Sequence, residues 1–250
     1  RQRQMCIRDR TYAAPMQDFA ASILEAFRLV VELDSGLLEI VWLSLKVSMT
    51  AAIIAAVIGL PIGAFLAVTR FPGRGFAVVV VTALMGLPPV VVGLVVYLLL
   101  SNAGALGPLQ LLYTPTAMII AQTVLVVPII AALTRQTIED LDTEYRDQLT
   151  LFGQGSLSRL QTLLWEGRYS LMTALLAGFG RAVAEVGAVI IVGGNINHVT
   201  RVMTTAIALE TSKGNLALAL GLGLILVILA LLVNALVFML RAAAERSAYA

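Results

Sequence analysis

The sequence predicts an all-α fold, a polytopic transmembrane helical bundle of about five spans. Three observations carry that expectation. Of 250 residues, 59% are hydrophobic and only 13% are charged, and the mean hydropathy of +0.92 lies well above the balance of a soluble domain. A soluble chain would need a polar exterior, and the long stretches without Asp, Glu, Lys or Arg leave none. Five of those stretches reach the length of about 20 apolar residues that crosses bilayer hydrocarbon. Seventeen basic residues are nearly matched by fifteen acidic ones, giving +2, so lipid is the expected partner and nucleic acid is not.

Taken in order, residues 1–15 are expected to be a non-native or disordered tail, because 1–10 (RQRQMCIRDR) form an arginine-rich run without periodicity. Residues 16–38 mix apolar and charged side chains at helical spacing, as in an amphipathic interfacial helix. A sixth span there is disfavoured, since Glu25, Arg28, Glu32 and Asp34 would enter lipid. The membrane domain is expected over 39–241, with spans at about 47–68, 76–100, 116–133, 170–192 and 216–240. The G-x-x-x-G of Gly59 and Gly63 suits close helix packing. Pro88 and Pro89 break the second span and mark either a kink or a pathway wall.

Orientation follows from the bases beside the spans. Arg70 and Arg74, then Arg135, Arg146, Arg159 and Arg168, then Arg241 and Arg246, fall on one side of a five-span chain. That side is expected to be cytoplasmic, with the N-terminus outside and the C-terminus inside. The 135–168 loop is the longest polar segment between spans, and its glycine-rich turn at 153–156 predicts a protruding helical elbow.

Catalytic signals are missing from the sequence. It contains no G-x-x-x-x-G-K-[ST] and no H-E-x-x-H, and it has one histidine, His198, and one cysteine, Cys6. No enzyme site, cofactor or metal is expected in this chain. Charge inside a span occurs only in the fourth, where Arg181 and Glu185 stand four residues apart and can pair. The pair is either a clamp between helices or part of a polar route in which Arg181 favours anions.

At these residues the chain resembles the binding-protein-dependent ABC transporter permeases, whose cytoplasmic loop carries an E-A-A-x-x-x-G pattern. Asp147, Gln148, Leu149, Gly153 and Leu163 occupy its register, while Trp165 and Glu166 replace its closing Leu-Pro. Residues 43–48 (LSLKVS), 59–63 (GLPIG), 86–93 (GLPPVVVG) and 181–188 (RAVAEVGA) are similar to the oxyanion branch, which includes molybdate, sulfate and tungstate permeases. Trp165, Glu166 and residues 193–214 look most similar to the tungstate permeases. The resemblance implies a homodimer in the cytoplasmic membrane of a bacterium or archaeon. It implies a separate cytoplasmic ABC ATPase dimer, holding ATP and Mg and docked on the elbow. It also implies a periplasmic or lipid-anchored oxyanion-binding protein meeting Asn195, His198 and Arg201, and an oxyanion pathway along Pro88, Pro89, Arg181, Glu185 and Gly187. The competing readings are a molybdate or sulfate cargo, or a secondary transporter or channel without an ATPase. Inverted repeats would favour the latter, and the two halves carry no convincing self-similarity.

Overall fold

The computed structural model describes residues 35–151 and 155–248, which form ten α-helices and one 3-10 turn, with no strand among the described residues. The helices are α1 (Ser35–Val68), α2 (Arg74–Leu84), α3 (Pro89–Leu100), α4 (Pro115–Glu144), α5 (Arg146–Leu151), α6 (Ser156–Glu166), α7 (Arg168–Val183), α8 (Gly187–Gly193), α9 (Met203–Lys213) and α10 (Leu216–Ala248). Three are long and apolar enough to cross a membrane alone: 36–68 of α1, all of α4 and 216–235 of α10. With each bent pair counted as one span, the total is five. The expected tail at 1–15, and the interfacial helix as far as residue 34, lie outside the described residues. Residues 35–38 form the first described turn of α1, so the described helix begins twelve residues before the span expected from 47.

Two expected spans are not single helices. Residues 76–100 divide into α2 and α3, whose axes differ by 99°. Pro88 and Pro89 explain this, because Pro89 opens α3 at its first turn, where the missing N–H has no partner to lose. Residues 170–192 divide into α7 and α8, bent by 55° at residues 184–186, where there is no proline.

Association within lipid depends on close packing and satisfied backbone groups. α1 lies along α4, and a Cβ on Gly63 would stand 2.3 Å from the Ala131 carbonyl oxygen. Only glycine permits that approach. Around this seam Ala55, Val126, Ile130 and Ala182 form one buried cluster. A larger one joins Val92, Val96, Met118, Ala121, Val189 and Val192 from α3, α4 and α8. Large apolar side chains such as Ile53, Val57, Val91, Leu98 and Leu231 remain exposed, as lipid contact requires. α10 is the extreme case, with only 17% of its apolar window buried.

Candidate functional site

The break between α7 and α8 contains the charged pair. Arg181 Nη1 lies 3.1 Å from Glu185 Oε2, although the helix ends at Val183 and the two residues do not share one continuous helix. The carboxylate side chain is 2% exposed and the guanidinium side chain 34% exposed, so Glu185 is the interior partner. Its other oxygen, Oε1, accepts the Ala188 N–H at 3.0 Å and caps α8. A broken helix in a bundle must satisfy its freed backbone groups. Here Gln122 Nε2 donates to the Ala182 carbonyl at 2.9 Å, and the Thr204 hydroxyl donates to the Glu185 carbonyl at 2.9 Å. Gln122 is itself buried, and its Oε1 has no protein partner.

The second break lies against the first. A Cβ on Gly187 would meet Val90 Cγ2 at 3.0 Å and the Val90 backbone nitrogen at 3.6 Å. A Cβ on Gly93 would stand 2.7 Å from Ala188 Cα. α8 therefore lies on α3, and Pro88, Pro89, Glu185 and Gly187 form one irregular region. Pro88 is exposed and Pro89 half-buried beside it. Two helix breaks, one ion pair with a buried carboxylate and an uncommitted amide oxygen meet in this part of the bundle.

The expected elbow segment contains α5 and α6 on either side of residues 152–154, which lie outside the described residues. Leu149 and Leu163 pack with Ile138 in a buried cluster that also takes in Ala67 and Val68 of α1, so they hold the elbow to its base. Asp147, Gln148, Trp165 and Glu166 are exposed, and Leu151 is 87% exposed. The Trp165 ring carries the Arg168 guanidinium 4.7 Å from its centroid. Gly153 lies outside the described residues.

Residues 59–248 match the family described as the binding-protein-dependent transport system inner membrane component. The chain belongs to this family. It is 42% identical over 205 residues to a probable anion ABC transporter permease protein of Haloferax volcanii, covering 80% of this chain and 88% of that one. It is 40% identical over 226 residues to the tungstate uptake system permease protein TupB of Peptoclostridium acidaminophilum, covering 90% and 99%. To TupB of Campylobacter jejuni it is 36% identical over 172 residues, covering 69% and 72%. As a member of this family the chain is a membrane transport component.

The three residues expected to meet a binding protein sit in the loop after α8, separated from Glu185 by the length of that helix, about 10 Å. They do not form one patch of free side chains. Asn195 exchanges hydrogen bonds with Thr205: its Nδ2 donates to the Thr205 carbonyl at 3.3 Å, and the Thr205 hydroxyl donates to its Oδ1 at 3.0 Å. His198 Nδ1 meets Glu39 Oε2 at 2.7 Å, tying the exposed loop to the start of α1. Arg201 is half-buried, with its Nε buried and unpartnered.

Gln122 and Thr204 were not among the expected site residues. Gln122 had a readable signal, as the one amide in the apolar run 117–133. Thr204 had none, because its role depends on α9 folding back onto the break.

Proposed function

We propose that this chain is the permease subunit of an ABC importer for a tetrahedral oxyanion, tungstate in the first place, driven by a separate ATPase subunit. The observation that carries the reading is the Arg181 and Glu185 pair at the junction of two helix breaks. A dianion cannot cross hydrocarbon without a polar, anion-tolerant route. Arg181 is the cation of that junction and retains one third of its side-chain exposure. Buried Glu185 fixes the guanidinium, while the irregular backbone at 85–88 and 184–186 provides the lining that a continuous helix denies. Relatives named for anion and tungstate uptake support the cargo class. The binding protein outside does most of the selection among tungstate, molybdate and sulfate.

The permease works as a homodimer in the cytoplasmic membrane, N-terminus outside and C-terminus inside. It receives force through the elbow. ATP and Mg act on the partner ATPase, whose closure moves α5 and α6 and reorients the pathway between its two faces. The exposed side chains of Asp147, Gln148, Leu151, Trp165 and Glu166 support that docking surface.

Tungstate uptake, normalised to correctly assembled complex, tests the reading in Arg181→Gln, Glu185→Gln and the double variant. In the double variant assembly is expected to recover and uptake is not. Near-normal uptake by the double variant would make the pair a clamp and remove Arg181 from the route.

A further inference from the structure

A second polar feature lies at the elbow end of the bundle, away from the helix breaks. A cavity of about 600 Å³ opens there, lined by Arg70, Arg74, Arg146 and Arg159 together with Glu139 and Asp142. Arg135, one turn before Glu139, also pairs with that carboxylate. Both carboxylates are already shared: Glu139 between Arg74 and Arg135, Asp142 between Arg159 and, at 3.8 Å, Arg146. Four guanidiniums thus line an opening that holds two carboxylates, with a fifth, Arg135, behind Glu139. Nearby Asp140 does not offset them there, because it lines a separate cavity between α4 and α7. Arg70 is exposed and makes no ion pair among the described residues, and Arg135 Nε is buried without an acceptor.

The neighbouring wall identifies the occupant. α2 starts at Arg74 on the rim of the cavity and leaves Phe76 75% exposed and Val79 64% exposed. A headgroup seated here meets guanidiniums, and the exposed apolar side chains of α2 begin two residues beyond Arg74 at the rim. We propose that this cavity binds the phosphate headgroup of an anionic phospholipid, whose acyl chains lie along α2. Guanidinium forks match phosphate oxygens in pairs, and basic pockets at a membrane boundary recognise such headgroups. Arg74 is preorganised for the task, since its Nε is fixed by the Leu66 carbonyl at 2.8 Å. The site is independent of the cargo and of the ion pair in the helix break.

The test places the full chain in nanodiscs of equal phosphatidylglycerol and phosphatidylcholine and counts retained lipids by native mass spectrometry. Wild type is expected to retain phosphatidylglycerol in preference to phosphatidylcholine. Arg70→Gln with Arg146→Gln should lower that preference by about 25-fold, and lysine at both positions should largely keep it. If the double variant fails to insert, Arg70→Gln alone changes a side chain that makes no ion pair among the described residues and should lower the preference by about fivefold. Equal retention of the two lipids by wild type, or an undiminished preference in a properly inserted Gln variant, would overturn the proposal. Inorganic phosphate or tungstate, added in excess, should leave the bound lipid in place. Its displacement by either ion, with the ion retained, would assign the cavity to a free anion and sink the lipid.

Discussion

Removing the two halves of the buried pair should cost unequal amounts. Arg181→Gln leaves the Glu185 carboxylate, 2% exposed, without its cation, a loss of about 3 to 5 kcal/mol when burial is complete. Glu185→Gln leaves Arg181, which is 34% exposed and can turn outward from the helix break. The new amide oxygen can still accept the Ala188 N–H, so the cost should be about 1 kcal/mol. The arginine variant is therefore expected to be less stable by roughly 2 to 4 kcal/mol, and adding Glu185→Gln to it should recover most of that difference. Denaturant unfolding in detergent, followed by tryptophan fluorescence, gives the ordering directly. Equal losses, or a larger loss for Glu185→Gln, would refute the assignment of Glu185 as the interior partner.

Gly63→Ala should destabilise the bundle by about 3 kcal/mol or more, because a Cβ placed 2.3 Å from the Ala131 carbonyl must push α1 off α4; folded yield in detergent checks it. Glu210 on α9 has a pKa held below the ordinary value of 4.5, chiefly by its hydrogen bond to Lys213. Its ionised form therefore contributes stability above that value, and the contribution fades as pH falls through the lowered folded pKa. Lys213→Met should move the acid-unfolding midpoint to higher pH, and an unchanged midpoint would remove Lys213 as the cause. At the elbow, Leu151→Ser should change stability by less than about 0.5 kcal/mol while lowering binding-protein-stimulated ATP hydrolysis severalfold. Gly153→Val should also lower that stimulation with membrane insertion intact, because the turn that the sequence predicts at 153–156 rejects a β-branched side chain.

The helical class and all five apolar segments were legible because lipid imposes a length and forbids unpaired backbone. The break at Pro88 and Pro89 was legible for a covalent reason. The break at residues 184–186 was not, since RAVAEVGA contains no proline and reads as continuous helix. It is sustained by Gln122 and Thr204, which are far away in sequence and take the carbonyls that the helix gives up. The described α1 also runs ahead of the span expected at about 47–68, because a helix need not end where the hydrocarbon does. Leu149 and Leu163 belonged to a recognisable loop pattern, yet their burial depends on Ile138 and the end of α1, which the pattern does not contain.

The 99° turn between α2 and α3 also limits how far this part of the chain can reach. Helices of eleven and twelve residues, at 1.5 Å per residue and set at that angle, end only about 22 Å apart, against about 30 Å of hydrocarbon. The pair thus falls roughly 8 Å short of that thickness. Residues 101–114, which follow it, are tightly folded. Gly104 donates to Ser101 at 2.7 Å, Leu106 to Leu99 at 2.9 Å, Gln110 to Gly107 at 3.0 Å, and Tyr113 to the Val192 carbonyl of α8 at 2.9 Å. α2 and α3 together therefore reach less far than α1 or α4 does alone, and the chain beyond them is extended by a hydrogen-bonded turn region rather than by more helix.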